Sequence, residues 1–492
     1  MSLYTRNPSL ASFTTSERLG MDDVAQSFFE WLAQEDRERQ KKYQNYREYY
    51  NGEQEVMLTE RQKEFLELKP HHDFSANYCM LVVDEIARRL NMRGFDAGSQ
   101  GGSEGALWNW WQWGRMDVHQ KNVHSSAIRD GDTYLIVGWD NVTGRPKYHP
   151  NLAYDGFEGV KVHYNDETNE IDYASKKWNV TDNRDGDVGY KRRINLYYPD
   201  RIERYISNDR LNDGQWSKYD EDGQPWLIPW VDRKNNPLGV PVIHFKYNSA
   251  GWRWGQSVLE NVIPIQNALN KAVVDLIAAA DTTGFRVYWV TGGSPTDENG
   301  DPIKVSPGVM LAGPETSSFG YFPGEPLRSL IEVVDTFKVT IAQISETPLH
   351  LFQVSGQNAS EGAQKQQEVG MISRAEDTAV HFGNAWEDTM YLSRRLHNAF
   401  SNEPPMDEAQ LISSLWKDFE VRDRIERIKT QGEALESFTT AGGDYEAVAR
   451  YVGVDEESAK AMAKFALIPL EYEKLNKQQE QFNGPNQTTQ QE

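Results

Sequence analysis

The chain has 492 residues and a net charge of −22 at neutral pH, from 52 Lys and Arg against 74 Asp and Glu. That acidity argues against a protein that grips nucleic acid by neutralising its phosphates. The single cysteine, Cys79, excludes an intrachain disulfide, and at about 150 residues per domain the length predicts roughly three domains.

In chain order, the first third reads as mostly helical. Val24 to Tyr50 alternates rings and aliphatics with charge and stops at Asn51-Gly52. Thr59-Glu60-Arg61-Gln62 starts a short second helix. Asn77 to Leu90 is a third, with Met80, Val83, Ile86, Ala87 and Leu90 at helical spacing. Two more follow, Glu104 to Trp113 and Met116 to Arg129, stopped at Gly131. The period then drops to two. Tyr134–Val137, Lys161–His163, Ile171–Trp178, Arg193–Tyr198 and Ile202–Ile206, divided by polar turns, predict one antiparallel meander.

Ser257 to Gly284 is again helical, with Pro264 expected to bend its early part. Phe285 to Pro326 is a non-helical insert with strand-like Arg286–Val290 and Gly308–Leu311. A second helix runs from Leu327 to Glu346, so two helices flank a compact β unit. Leu349 to Ser360 is a loop without Lys, Arg, Asp or Glu. A long helix covers Glu361 to Phe400, and a further helical region covers Asp407 to Leu470. The Gln/Asn-rich tail after Lys474 is expected to be disordered. The fold class expected is α+β, mainly helical.

Several chemistries lack a signature. There is no phosphate-loop motif and no His-Glu-x-x-His. His71-His72-Asp73 makes a poor metal site, because adjacent side chains point apart. Gly101–Gly105 follows no strand and reads as a loop. Cys79 reads as a buried small side chain. The most apolar run, Ala272 to Ala280, contains Asp275 and is far shorter than the ~20 residues of a membrane span. The first residues hold no apolar signal region, so synthesis in a reducing cytoplasm is expected and the Asn141, Asn179, Asn358 and Asn486 sequons are chance matches. No cofactor is expected.

The order of elements resembles the portal proteins of tailed bacteriophages, of the siphophage type. The resemblance runs through Tyr49-Tyr50-Asn51-Gly52-Glu53, Asn77 to Leu90 followed by Arg93-Gly94-Phe95, and Gly131-Asp132-Thr133-Tyr134. It continues through Pro241–Phe245, Gly255-Gln256-Ser257, Ile263 to Asn270, Thr347–Phe352 and Ser360–Ala363. It implies a ring of about twelve subunits at one capsid vertex, with double-stranded DNA passing through its centre. The family's regions then fall as wing 1–256, stem helix 257–284, clip 285–326, second stem helix 327–348, tunnel loop 349–360, long wing helix 361–402, crown 403–474 and polar tail 475–492. The implied partners are other copies of the chain, the DNA, the terminase large subunit, the major capsid or scaffolding protein and a head-completion or adaptor protein. The implied location is the virion, after assembly in the host bacterial cytoplasm, with no membrane and no enzymatic activity.

In that setting a conduit must touch DNA weakly, because each phosphate held by a cation slows sliding. The tunnel-loop segment offers Leu349, His350, Gln353, Ser355, Gln357 and Asn358, none of them a fixed cation. The stem charges Lys271, Asp275, Asp281, Arg328, Glu332, Asp335 and Lys338 either line the channel or cross-link neighbouring subunits. Tyr288, Trp289, Phe319, Tyr321 and Phe322 either form the core of the clip or exchange strands with the next one, leaving an outer face for docking partners. Trp108, Trp110, Trp111 and Trp113 are expected in the wing core. Acidity with many rings (15 Trp, 23 Tyr, 19 Phe) also fits a carbohydrate-active enzyme, and another virion ring or adaptor is the third reading.

Overall fold

The computed structural model describes residues 37–55, 76–98, 105–182, 189–207, 216–220, 223, 225–249, 253–284, 288–292, 316–321, 327–352 and 361–419. Helix α1 (Arg37–Asn51) buries Tyr43, Tyr46 and Tyr49, one ring per turn. Helix α2 (Tyr78–Arg89) begins at Asn77, whose side chain accepts the Met80 N–H, and buries Cys79, Val82, Val83 and Ile86. Strand β1 (Met92–Asp96) leads to α3 (Ala106–Trp113) and α4 (Met116–Asp130). Trp110 and Trp111 are buried as expected, but Trp113 is 52% exposed, with the Arg145 guanidinium 3.5 Å above its ring.

Two sheets follow where one meander was predicted. β2 (Asp132–Asp140) lies between β3 (Arg145–Leu152) and β10 (Val242–Lys246) in a three-stranded antiparallel sheet. Residues 132–137 are buried on both faces, so β2 belongs to the interior and not to a half-solvated meander. The meander itself is β4 (Gly159–Tyr164), β5 (Ile171–Asp182), β6 (Gly189–Tyr197) and β7 (Arg201–Ser207), in sequence order. β8 (Trp216–Lys218) and β9 (Leu227–Pro229) share the outer edge of β7.

The chain then forms α5 (Ile263–Gly284), the hairpin strands β11 (Tyr288–Thr291) and β12 (Ser318–Tyr321), and α6 (Leu327–Ser345). Residues 258–262 are turns, so α5 starts later than predicted and Pro264 sits in its first turn, where a missing N–H costs no hydrogen bond. Strand β12 was not predicted, and Gly308–Leu311 lies outside the described residues, as does the Thr59 helix. A short 3₁₀ turn (Leu349–Leu351) precedes α7 (Glu361–Phe400), which has the predicted bounds.

Helix α7 crosses the interior, burying Met371, Ala375, Phe382, Trp386 and Met390. Trp386 meets Trp111 edge-on at 4.8 Å and Phe245 at 4.6 Å, which ties α7 to α3 and β10. The helix predicted from Asp407 is not what the described part of that region forms. Ser413–Trp416 is a strand, β13, paired antiparallel with β1 against α7. Residues after 419 lie outside the described set. The fold is α+β as expected, but with thirteen strands in four sheets among the described residues it is not the mainly helical chain predicted.

Candidate functional site

Helices α5 and α6 pack along one another, with the β11–β12 hairpin between them in sequence. At ~1.5 Å per residue they span roughly 33 and 29 Å. The buried residues at the start of α5 (Gln266, Leu269, Asn270) and the end of α6 (Ile341, Ala342, Ser345) mark the end that enters the body.

On α5, Lys271 is exposed and Asp275 half-buried, while the Asp281 side chain lies outside the described set. On α6 the four charges pair within their own helix. Arg328 Nε donates to Glu332 at 3.3 Å and Lys338 Nζ to Asp335 at 3.1 Å. Arg328 and Glu332 are 90% and 68% exposed, so each such pair adds only about 0.3–0.5 kcal/mol. In the hairpin Tyr288 pairs with Tyr321 and Val290 with Phe319, and Trp289, 38% exposed, lies against Gly320. The side chains of Tyr288, Phe319 and Tyr321, and all of Phe322, fall outside the described residues. Leu349 is half-buried and His350 exposed in the 3₁₀ turn. Phe352 is buried and stacks on Tyr78 at 5.4 Å, whereas Gln353, Ser355, Gln357 and Asn358 lie outside the described set.

Sequence reasoning missed how the α5–α6 hairpin is held. Three amides at the start of α5 do it. Gln266 Oε1 accepts the Tyr78 N–H at 3.1 Å, and its Nε2 donates to the Ala76 carbonyl. Asn270 Oδ1 accepts the Ala76 N–H at 3.2 Å and a bond from Gln266 Nε2 at 3.1 Å. Asn267 Oδ1 accepts the Tyr49 hydroxyl proton at 2.7 Å. The Tyr78 N–H is one of the donors that α2 leaves unpaired at its first turn, so α5 caps α2 from outside. Asn77 Nδ2 donates to the Tyr50 carbonyl and closes the end of α1 onto the same point. Three helices therefore meet through side-chain amides. The available signal was three amides at positions i, i+1 and i+4 among the apolar residues of the first turns of α5.

A second junction holds the segment leading into α5. Asp132, 1% exposed, accepts the Tyr43 hydroxyl proton at 2.6 Å, His244 Nε2–H at 2.8 Å and the Gly255 N–H at 2.8 Å. Tyr164 then donates to His244 Nδ1 at 2.6 Å. Burial pushes the His244 pKa down, against the pull of Asp132, so the imidazole is neutral and serves as a donor to Asp132 and an acceptor from Tyr164. Burial, reinforced by Asp132, raises the Tyr43 pKa well above its ordinary value. Gly131 (φ +90°) and Gly255 pass backbone to backbone, and a Cβ on Gly131 would lie 2.9 Å from the Gly255 oxygen. Val258 N–H bonds Ile128 O beside them, and Ser257 Oγ donates to Arg129 O. The chain thus enters α5 pinned to the α4–β2 corner.

No group of His, Cys, Asp and Glu able to hold a metal occurs among the described residues. No helix among them is long and apolar enough to cross a membrane.

The chain is 21% identical over 369 residues to the portal protein of Mycobacterium phage D29, covering 69% of this chain and 68% of that one. It is 20% identical over 400 residues to the portal protein of Mycobacterium phage L5, covering 75% and 74%. The family described as phage portal protein, SPP1 Gp6-like, matches residues 30–440, and the chain belongs to that family.

Proposed function

We propose that copies of this chain close into a ring of about twelve at one capsid vertex, around a channel through which DNA enters and leaves. Members of the portal family are structural parts of the phage virion and not enzymes, which removes the carbohydrate-active alternative. In this reading α5 and α6 are the stem, the β11–β12 unit is the clip, 349–360 is the tunnel loop and the body around α7 is the wing. Of the span 403–474 expected as the crown, the described part holds β13, which pairs with β1 and contacts α7. The ring docks the terminase large subunit during packaging and a head-completion protein afterwards, and sits in the shell of major capsid protein after assembly in the host cytoplasm.

The observation that carries this reading is the anchored hairpin: two long helices, the first rooted in the body by buried amides, within a chain that the portal family matches over residues 30–440. Its chemistry fits a conduit. The α6 charges are neutralised in pairs along their own helix, and the tunnel-loop segment has no Lys or Arg. Neither holds phosphate strongly, so DNA can slide. Light scattering and negative-stain imaging of the purified chain test it. A ring with a central hole is expected, and a monomer at all concentrations overturns it.

A further inference from the structure

The net charge of −22 is not spread evenly over the body. Between α3, α4, β3 and β5, cations and indoles gather on one face. The Arg145 guanidinium lies 3.5 Å over the ring of Trp113, the last residue of α3. Lys147 and His149 follow Arg145 on the same side of β3, and both are exposed. Burial, and then the charges of Lys176, Lys147 and His119, hold the His149 imidazole below its usual pKa, so β5 and α4 both bring basic groups up to this strand. Lys176 on β5 and Arg193 on β6 each lie 5.2 Å from the Trp178 ring. Two acids border the row, and both are engaged. Asp140 accepts from Lys147 Nζ at 3.0 Å and from the Thr143 hydroxyl at 2.9 Å, and Glu158 accepts the Asn179 N–H at 3.0 Å. Apolar surface is exposed beside the cations: Trp113 is 52%, Val118 in the first turn of α4 64% and Val142 in the β2–β3 turn 94% exposed.

We propose that this face binds an acidic segment of a partner protein, one with apolar side chains among its carboxylates. The carboxylates take Arg145, Lys147 and Lys176, and the apolar side chains cover Trp113, Val118 and Val142. Tryptophan and arginine are the residues that most often carry binding energy at interfaces. The stack on Arg145 orders the indole before a partner arrives, which lowers the entropy cost of binding. Elsewhere the field of so acidic a chain repels carboxylates, so a local excess of cations steers an acidic segment to this face. Duplex DNA is a poorer occupant. Its bases are stacked inside the helix and give an exposed indole nothing to stack on. A second copy is poorly placed to extend the sheet here. β3 is an edge strand among the described residues, and Pro146 and Pro150 remove two donors from it. No residue of the α5–α6 hairpin takes part, so the surface is independent of the ring reading.

The test is fluorescence anisotropy of a labelled peptide of repeated Glu-Glu-Leu-Glu units, titrated with the full chain at low salt, with a labelled DNA duplex as the comparator. The peptide should bind more tightly than the duplex, and added salt should weaken it. Arg145→Glu should weaken peptide binding about tenfold, and Lys147→Gln and Trp113→Ala should weaken it measurably, all three with the wild-type circular dichroism and thermal melt. Arg328→Glu makes the same change in net charge on the exposed face of α6 and should leave binding as in wild type. A wild-type chain that does not bind the peptide, an equal loss in Arg328→Glu, or tighter binding of the duplex overturns the proposal. A change of assembly size in Arg145→Glu or Lys147→Gln, read by light scattering, also overturns it, because the face is then a contact between copies. None of these results bears on whether the wild-type chain forms a ring.

Discussion

Gln266 of α5 caps Tyr78, the first residue of α2, across 188 positions of sequence: its Oε1 accepts the Tyr78 N–H at 3.1 Å while its amide donates to the Ala76 carbonyl. Both backbone groups would be stranded in Gln266→Leu, which keeps the bulk but neither bond. Each stranded group costs ~1–3 kcal/mol, so a loss of about 2–4 kcal/mol is expected, read as a lower denaturant midpoint. Asn267→Ala frees only the Tyr49 hydroxyl, which is not fully buried, and should cost about 1 kcal/mol. Equal effects from the two substitutions would contradict the capping role.

Asp132 is the only carboxylate among the described residues that joins α1, β10 and the approach to α5. It is a buried carboxylate that accepts from three neutral donors. In Asp132→Ala the Tyr43 hydroxyl, the His244 ring and the Gly255 N–H all lose their acceptor, and a loss of at least about 3 kcal/mol is expected. Asp132→Asn keeps one acceptor toward Gly255 and His244 but presents an N–H to Tyr43, whose hydroxyl must turn to accept it. It should fall between wild type and the Ala variant in thermal unfolding. A neutral Ala variant would show that the three bonds carry no net stability.

The buried histidines set the acid response. His124 donates from Nδ1 to the Leu90 carbonyl and accepts at Nε2 from Trp386, and burial lowers its pKa from 6.5 to about 3. Between those values the unfolded chain takes up a proton that the folded chain refuses, so stability falls as pH falls through that range. Burial shifts His163 and His244 in the same direction. The urea midpoint should therefore drop steadily between about pH 7 and pH 5. His124→Gln should start lower at neutral pH and show a shallower decline. A wild-type midpoint that is flat over that interval would refute the assignment of neutral, buried imidazoles.

These junctions explain which parts of the fold the sequence could reveal. Helices α2, α4 and α7 carry their own periodicity and stops, such as Asn77 and Gly131, so their bounds follow from local chemistry. β2 misled because a strand buried on both faces has the same local pattern whichever sheet it joins; its neighbours come from residues 145–152 and 242–246. β13 has no pattern of its own and exists because β1 supplies a free edge. The hairpin of α5 and α6 was legible as two helices around a β unit. Its anchor was not, because Gln266 and Asn270 acquire meaning only when Ala76 and Tyr78 arrive beside them.

The segment between α6 and α7 is bracketed by two fixed points. Phe352 is fixed at its start, buried and stacked on Tyr78, the residue whose N–H Gln266 caps. Glu361 opens α7 on the other side. Removing Gln353–Asn358 therefore leaves both anchors in place and takes away polar residues that are proposed to brush the DNA. Ring size and thermal melt should match wild type, because the Phe352–Tyr78 stack before the deletion and helix α7 after it stay in place. DNA packaging or retention should fall, measured as nuclease-protected DNA per particle in phage assembled with the deleted chain. Intact packaging with an intact ring would remove the segment from the conduit. A lost ring would instead make it a subunit contact, contrary to a role at the DNA.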